Sequence, residues 1–422
     1  NNLTPAHKTG NLAELVCSNT FKSTAPSSAP GIFKNELRTL GSLLMQCAPK
    51  AQVPAGTALA VDREVFSKEV ERCLLATQNV ERISKRIESI DELPEAYTTV
   101  IATGPLTQGG LAEMIQKLSG GYGLYFYDAI APVLDATSIN QNITFSASRY
   151  GKGGEDYINC PMSKEQYDVF YDALMAAEKM EFQDFEEAQY FQGCQPIEAI
   201  AATGRDSLRF GPMKPVGLTN PHTNQRPHAV VQLRIDNISR SAYNMVGFQT
   251  KLKYPEQKKV FSLIPGLENA EFLRLGSMHR NTYICSPVFL NSNFSLKENP
   301  KVRLAGQITG VEGYTESSAI GLLTGLAILA ELENKTWELP SRKTALGNLC
   351  HYLFQSNPKE FQPTNVHFGL FDPTLYADMP PKILKNKDTY REEVGKISAL
   401  EIATWFQKLD LTPAQTSAIF SS

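Results

Sequence analysis

The sequence predicts an α/β protein in which a cofactor-binding domain is interrupted by an α+β insertion. Residues 96–105, "AYTTVIATGP", form an apolar, β-branched run that ends in a sharp turn, as a buried strand does. Residues 303–325, "RLAGQITGVEGYTESSAIGLLTG", have the order strand, glycine-rich loop and helix. Between them, "HAVVQLRIDN" (228–237) and "AYNMVGFQTKL" (242–252) indicate adjacent strands of another sheet. We expect the cofactor domain at 1–105 and, with a C-terminal tail, at 301–422, and the insertion at 106–300.

Four further stretches have the apolar spacing of helices. They are 33–48, 60–76, 163–180 and the strongly apolar 317–334. Ser163 is placed to cap the third of them, with Glu165 in its first turn. The C-terminal part mixes helix and loop and includes "YREEVGKISALEIATWFQKL".

The composition is that of a globular chain with a sizeable core. Of its 422 residues, 42% are hydrophobic and 20% are charged, and the net charge is −3. A nucleic-acid partner would therefore need a local basic patch. The seven cysteines are scattered, without a C-x-x-C pair or a Cys/His cluster, so we expect no metal and a reducing cytoplasm. No signal peptide and no membrane-spanning apolar run is apparent, and nothing indicates an oligomeric state.

The glycine-rich loop is the first candidate site. Its glycines allow close backbone approach, and the following helix would direct its free amides at a phosphate or a flavin ring. Tyr314 could stack on a flat ligand. The loop could instead be a plain strand-to-helix turn without a ligand, and Tyr314 could be a half-buried aromatic residue. The strand end at Thr103 and Gly104 is a second candidate site, or likewise a turn without a ligand. Gly321 and Gly325 would allow the helix to pack closely on a sheet. The candidate ligand-binding residues of the loop are Gly306, Gln307, Gly310, Val311, Glu312, Gly313 and Tyr314.

Two cysteines stand in polar turns. Cys17 lies in "AELVCSNTFKS" and Cys194 in "YFQGCQPIEAIA", where a helix N-terminus would favour a thiolate. Each is either a reactive thiol or a small buried hydrophobic residue. Cys47, Cys73 and Cys350 have helical or apolar surroundings and are expected to be structural.

Basic residues cluster in "RDSLRFGPMKPVG" (205–217) and "GSMHRNT" (276–282). They form either a groove for phosphate groups or a solvated rim with ordinary ion pairs. The residues concerned are Arg205, Lys214, His279 and Arg280.

Taken together, these motifs resemble one family. "TPAHKTGNLAELVCSN", "GCQPIEAIAATGRDSLRFGPMKPVGL", "VFSLIPGLENAEFLRLGSMHRNTYICSP" and "GQITGVEGYTES" occur in this order, with "LYFYDAIAP", "YINCPM" and "YNMVGFQTKL" between them. The chain from residue 3 to about 371 resembles the TrmFO (Gid) family of folate- and FAD-dependent tRNA (uracil-5-)-methyltransferases.

The resemblance implies a cytoplasmic enzyme with a discontinuous, FAD-binding Rossmann-like domain. Such an enzyme makes 5-methyluridine in the T-loop of tRNA, takes its carbon from methylenetetrahydrofolate and is reduced by NADPH or NADH. Cys194 and Cys17 match the two functional cysteines of the family. We assign the nucleophile to Cys194 and the base or adduct-forming role to Cys17. Tyr314 matches the aromatic residue that stacks folate over the flavin.

The chain departs from the family pattern ahead of "TPAH", where members have a strand and a G-x-G-x-x-G fingerprint. We expect a truncated or incomplete protein that alone would bind FAD weakly. The alternative functions are methylation of a ribosomal RNA uridine and RNA binding without catalysis.

Overall fold

The structure is a computed structural model that describes residues 7–77, 79–118, 124–151, 154–180 and 195–411. For residues 118, 124–128 and 278–280 it describes the backbone only. The strands in this part of the chain are β1 (Thr20–Ser23), β2 (Gln52–Val53), β3 (Ala58–Val61), β4 (Thr99–Ile101), β5 (Leu124–Ile130), β6 (Val133–Asp135), β7 (Phe145–Ser146), β8 (Tyr157–Met162), β9 (Ala229–Ile235), β10 (Ala242–Met245), β11 (Phe272–Arg274), β12 (Ser277–Tyr283) and β13 (Val302–Leu304).

Helices alternate with and follow these strands. They are α1 (Ala29–Thr39), α2 (Leu43–Cys47), α3 (Arg63–Leu75), α4 (Gly109–Leu118), α5 (Lys164–Ala176), α6 (Ile197–Ala202), α7 (Ser207–Phe210), α8 (Tyr254–Phe261), α9 (Ser286–Phe289), α10 (Tyr314–Leu332), α11 (Ala345–Gln355), α12 (Pro381–Leu384) and α13 (Lys387–Lys408).

The largest sheet is antiparallel and has six strands in the order β11-β6-β10-β9-β8-β7. The predicted pairing of β9 with β10 is confirmed, with Tyr243 opposite Ile235, although β10 ends at Met245. Every residue of β9 is buried, and the sheet packs on α5 and α8 through a core that includes Phe170, Val231 and Phe261. This sheet and its core lie within the predicted insertion, whose boundaries stay a prediction.

A second core joins the N-terminal and C-terminal parts of the chain. Here α1 packs against α13 and α11, and the small sheet β1-β3-β2 lies beside them. Phe33 of α1, Leu323 of α10 and Leu349 of α11 are fully buried in it. Burying each such side chain contributes about 1.5–3 kcal/mol, so the two ends of the sequence form one packed unit.

The strand predicted at 96–105 and the strand that precedes the glycine-rich loop pair with each other. They are β4 and β13, which run parallel with Ile101 opposite Leu304. Because the two strands are parallel, their carboxyl ends and the turns that follow lie at the same edge. Only Ile101 of β4 is buried, whereas Val100 is 41% exposed, so this short strand is not the fully buried run that the sequence predicted.

Three helix predictions need correction at their ends. The stretch 33–48 is two helices because Gly41, with φ of 74°, interrupts it after Thr39. Residues 58–61 form β3, and α3 begins only after Asp62, whose carboxylate accepts from the first-turn amides. The helix predicted at 163–180 ends at Ala176, but Ser163 caps it through a reciprocal pair of hydrogen bonds with Gln166, so the predicted cap is confirmed.

α10 spans 19 residues and is long and apolar enough to cross a bilayer. Half of its apolar window is buried inside the protein, and buried core helices pass the same test of length and composition. Gly321 and Gly325 lie on the exposed face of this helix, and a Cβ at either position would have no described atom within 4 Å. The expectation that they allow close packing on a sheet is therefore wrong.

Candidate active site

A cavity of about 270 Å³ lies where the N-terminal loop, the start of α10 and the large sheet meet. The loop before β1 and the first three residues of β1 contribute one wall, and the turn after β4 contributes Pro105 and Leu106. The remaining lining residues are Ile130, Ala131, Arg234, Asn244, Val246, Gly247, Gln249, Asn281, Gln307, Glu312, Gly313, Tyr314, Thr315, Glu316 and Asn365.

Cys17 is held at the wall of this cavity by its backbone. Its N–H donates to the Tyr314 hydroxyl oxygen at 2.7 Å. Its carbonyl oxygen accepts from Nη2 of Arg63 at 3.0 Å and from Nη2 of Arg274 at 3.2 Å. Three side chains from distant parts of the sequence thus fix one peptide unit on each side of a half-buried thiol.

These arginines belong to a buried charged cluster. Arg63 pairs with Asp236 at 2.9 Å, and both side chains are largely buried. Burial and, to a smaller extent, the neighbouring Arg63 together lower the pKa of Arg274 to about 10. Arg234 of β9 is almost fully buried and donates through Nε to Oδ1 of Asn19 at 3.1 Å. Of these three arginines, Arg234 lines the cavity, whereas Arg63 and Arg274 hold the Cys17 carbonyl and line a second cavity together with Asp236.

The glycine-rich loop forms the opposite side of the cavity. Gly310 has φ of 88°, and a Cβ there would lie 2.5 Å from the Phe361 ring. Gly313 precedes α10 with φ of 114°, and a Cβ there would lie 2.4 Å from Oε2 of Glu316. Gln307 donates to Oε2 of Glu312 at 2.5 Å, which ties the two ends of the loop together. Only a residue without a side chain fits at Gly313.

The N-terminus of α10 opens into the cavity. Gly313, at the cap position, supplies no side-chain acceptor for the first amides of the helix. Glu316, in the first turn, is buried and pairs with Lys22 at 3.2 Å, while its Oε1 accepts from the Val366 amide at 2.9 Å. Because amide groups at a helix start carry partial positive charge, this end suits an electron-rich ligand group.

Two buried polar atoms at the cavity have no hydrogen-bond partner in the described part of the chain. They are Nδ2 of Asn281, in β12, and Oε2 of Glu316. A buried polar atom without a partner costs about 1–3 kcal/mol. The Asn281 amide nitrogen is therefore a donor suited to a carbonyl or ring nitrogen of a bound ligand.

The structure brings together part of the predicted site. Cys17, Gln307, Glu312, Gly313 and Tyr314 line the cavity. Gly306, Gly310 and Val311 form the loop behind them, and Val311 bridges in parallel to Thr364. Thr103 is exposed and Gly104 lies in the turn before Pro105, and neither residue lines the cavity.

Cys194 lies outside the described residues. Ile197, three positions later in the chain, donates its N–H to the carbonyl of Gln249 at 2.7 Å. Since Gln249 lines the cavity, the chain just after Cys194 is anchored at the same site.

Two of the basic residues predicted to contact RNA, Arg205 and Lys214, do not line the cavity. Arg205 is half-exposed, pairs with Asp168 at 2.9 Å and with Asp172, and stacks on Tyr171. Lys214 is exposed on the loop after α7. His279 and Arg280 belong to β12, but their side chains lie outside the described residues. For Arg205 the ion-paired rim is the arrangement observed.

Sequence reasoning missed Lys22, Arg234 and Asn281. Arg234 did carry a signal, because it is a cation in an otherwise apolar strand, "AVVQLRI". Lys22 and Asn281 stand in ordinary polar surroundings and become site residues only when distant segments meet.

Comparison with known proteins assigns the chain to a class and then to a family. The sequence profile of the glucose inhibited division protein A family matches residues 2–336. Two crystal structures of GidA from Aquifex aeolicus share the fold, with TM-scores of 0.67 and 0.66 at 13% and 14% identity. They cover 96% of this chain, and this chain covers 69% and 71% of theirs. The α/β fold class is therefore confirmed.

Individual relatives are far more similar. The Natranaerobius thermophilus protein named methylenetetrahydrofolate--tRNA-(uracil-5-)-methyltransferase TrmFO is 53% identical over 92% of this chain and 89% of its own length. The protein of the same name from Acetivibrio thermocellus is 50% identical over 94% of this chain and 89% of its own. The chain belongs to the TrmFO family, which confirms the resemblance noted in the sequence.

Proposed function

We propose that this chain methylates carbon 5 of a uridine in tRNA, with methylenetetrahydrofolate as the carbon donor. The names of its relatives support the activity. The observation that carries the proposal is the half-buried Cys17, clamped through both its N–H and its carbonyl at the wall of the cavity. Such a site holds a thiol in a fixed position beside a space for a ring-shaped ligand.

The chemistry requires a thiolate and a base. Carbon 5 of uracil becomes nucleophilic when a thiolate adds to carbon 6 and converts the ring to an enolate. After carbon transfer, a base must remove the proton from carbon 5. We assign the addition to Cys194 and the proton removal, or a second adduct, to Cys17. The anchoring of Ile197 on Gln249 supports a common site for both thiols.

The cavity residues fit a flavin, and we propose FAD as the cofactor. The uncapped start of α10 and the unpartnered amide nitrogen of Asn281 suit an electron-rich ring with carbonyl groups. When bound, the flavin supplies the hydride that turns a transferred methylene group into a methyl group. Asn281 and the first amides of α10 would hold it.

The buried guanidinium of Arg234 suits the polyanionic and acidic partners of this reaction. Arg234 lines the cavity together with Cys17 and would attract a phosphate or a folate carboxylate. A T-loop uridine would have to leave its stack to reach Cys17. We further propose NADPH or NADH as the reductant and a cytoplasmic location. Stacking of folate on Tyr314 stays a prediction.

The test is formation of 5-methyluridine by the purified protein supplied with FAD, NADPH, methylenetetrahydrofolate and unmodified tRNA. Nucleoside mass spectrometry should detect 5-methyluridine only when the folate is present. A ribosomal RNA substrate provides the comparison. Absence of the product from tRNA, with protein that is folded and flavin-bound, would overturn the proposal.

A further inference from the structure

Two cysteines outside the active site lie in direct contact. Cys47 ends α2, Cys73 lies in the last turns of α3, and their Sγ atoms are 4.0 Å apart. Glu69, one turn before Cys73, places Oε1 3.7 Å from the Cys73 sulfur. The sequence indicated no such cluster because the two cysteines are 26 positions apart.

The two thiols have different surroundings. Cys47 is 1% exposed, and burial raises its pKa to about 12. Cys73 is partly exposed, and Nη2 of Arg72 donates to its sulfur at 3.5 Å. Because Cys73 is the more exposed of the two sulfurs, it is the one that an oxidant can reach first, and Cys47 is the one suited to respond.

Cys47, Cys73 and Glu69 could also be metal ligands, because their sulfur and carboxylate oxygen atoms lie within 4.8 Å of one another. Both carboxylate oxygens of Glu69 already accept hydrogen bonds from cationic side chains, however. Oε2 accepts from Nε of Arg72 at 2.9 Å, and Oε1 accepts from Lys50 at 2.5 Å. Arg72 and Lys50 together lower the pKa of Glu69 to about 2. Two cations hydrogen-bonded to the carboxylate would repel a divalent ion, so the arrangement favours a disulfide over a metal site.

We propose that Cys47 and Cys73 form a reversible disulfide when the protein meets hydrogen peroxide. The Cys73 thiolate attacks one peroxide oxygen, the O–O bond breaks, and the hydroxide that leaves is protonated to water. The Cys47 sulfur then attacks the sulfur of the Cys73 sulfenic acid. The S–S bond forms, the S–O bond breaks, and the second hydroxide leaves as water with the Cys47 proton. Both thiols are oxidised, the peroxide is reduced to water, and a dithiol restores the pair.

The crosslink would join the ends of α2 and α3. At its other end α3 carries Arg63, which holds the Cys17 carbonyl. A disulfide here therefore fixes a helix that supports the active site without occupying the cavity. Because it closes a loop in the unfolded chain, the oxidised protein should melt a few degrees higher than the reduced protein.

The experiment treats the purified protein with hydrogen peroxide, blocks free thiols and maps peptides by mass spectrometry with and without a dithiol. We expect a crosslinked peptide containing Cys47 and Cys73 that disappears on reduction. Cys73→Ser and Cys47→Ala should each lack it, while Cys350→Ala, which alters a buried cysteine outside the cluster, should retain it.

Zinc content gives a second, independent measurement. The proposal expects no zinc retained by this pair after incubation with Zn²⁺ and desalting, and equal zinc in wild type and Cys73→Ser. Absence of the Cys47–Cys73 peptide in folded, oxidised wild type would overturn the proposal. Stoichiometric zinc that Cys73→Ser loses would overturn it as well and would assign the cluster to metal binding.

Discussion

The hydroxyl oxygen of Tyr314 accepts a hydrogen bond from the backbone N–H of Cys17 at 2.7 Å, across 297 positions of the sequence. Tyr314 begins α10, whereas Cys17 lies in the loop before β1. The contact joins the glycine-rich loop to the thiol that we place in the reaction. It also gives Tyr314 a positioning role that is separate from any stacking on a ligand.

Tyr314→Phe should lower methylation by about fivefold to tenfold, because it removes a hydrogen bond with a net value of about 1 kcal/mol. The ring, which packs against Phe21 at a centroid distance of 5.9 Å, remains, so the fold should be unchanged. The measurement is the initial rate of 5-methyluridine formation. Tyr352→Phe removes a hydroxyl outside the cavity and should leave that rate unaltered; a fall of similar size in both variants would contradict the positioning role.

Arg63→Ala should lower the free energy of unfolding by about 3 kcal/mol, because it leaves the largely buried Asp236 carboxylate without its partner. It also removes one of the two donors to the Cys17 carbonyl, so the methylation rate should fall as well. Urea denaturation monitored by circular dichroism measures the first effect. Lys68→Ala, which breaks an exposed pair with Glu64, is the control and should change stability little. Equal stability of the two variants would rule out the buried pair as a stabilising contact.

Gly313→Ala should destabilise the protein by about 1–3 kcal/mol and weaken flavin binding, because its φ is 114° and a Cβ would strike Glu316. Gly321→Ala, on the exposed face of the same helix, should instead stabilise it by about 0.5–1 kcal/mol. Thermal unfolding and flavin absorbance of the two purified variants make the comparison. The two variants should change the thermal stability in opposite directions. A Gly313→Ala protein that binds flavin normally would contradict a flavin site at the glycine-rich loop.

Stability should rise between pH 7 and pH 9 through Lys34. Burial lowers the pKa of this amine to about 7, against the partly compensating charge of Glu316. In the unfolded chain the amine takes up its proton below its ordinary pKa of 10.5, whereas the folded protein does so only near 7. The unfolded state thus binds more protons in this window, which means that the free energy of unfolding increases with pH.

Lys34→Met should reduce that slope, although it also removes the hydrogen bond from Lys34 to the Phe21 carbonyl. Urea denaturation at several pH values between 7 and 9 provides the slope. The exposed Lys68→Met should preserve the wild-type slope. An unchanged slope in Lys34→Met would show that Lys34 is protonated in the folded protein throughout the window.

Local features of the fold could be predicted from sequence because they depend on neighbouring residues. The Ser163 cap and the β9–β10 pair are of this kind. The packing of α10 could not be predicted, because the helix is apolar on most of its circumference and its pattern does not say which face is covered. For that reason Gly321 and Gly325 were expected on the packed face of the helix, whereas they lie on its exposed face.

The site was predictable only in part. Cys17 and the loop at 306–314 carry recognisable patterns, whereas their contact depends on the packing of α10 against the N-terminal core. Arg63 and Arg274 reach the Cys17 carbonyl from separate elements, and no local pattern relates them. Arg205 could have been assigned to an ion pair, since Asp168 and Asp172 stand four positions apart on one face of α5.

The most direct test of a reaction site beside Cys17 compares 5-methyluridine formation by wild type and Cys17→Ala under identical conditions, with flavin content measured in both. If the cavity beside Cys17 is the place of reaction, the variant should retain its flavin and lose methylation by about 100-fold or more. Wild-type turnover by a flavin-bound Cys17→Ala protein would show that Cys17 takes no part in the reaction.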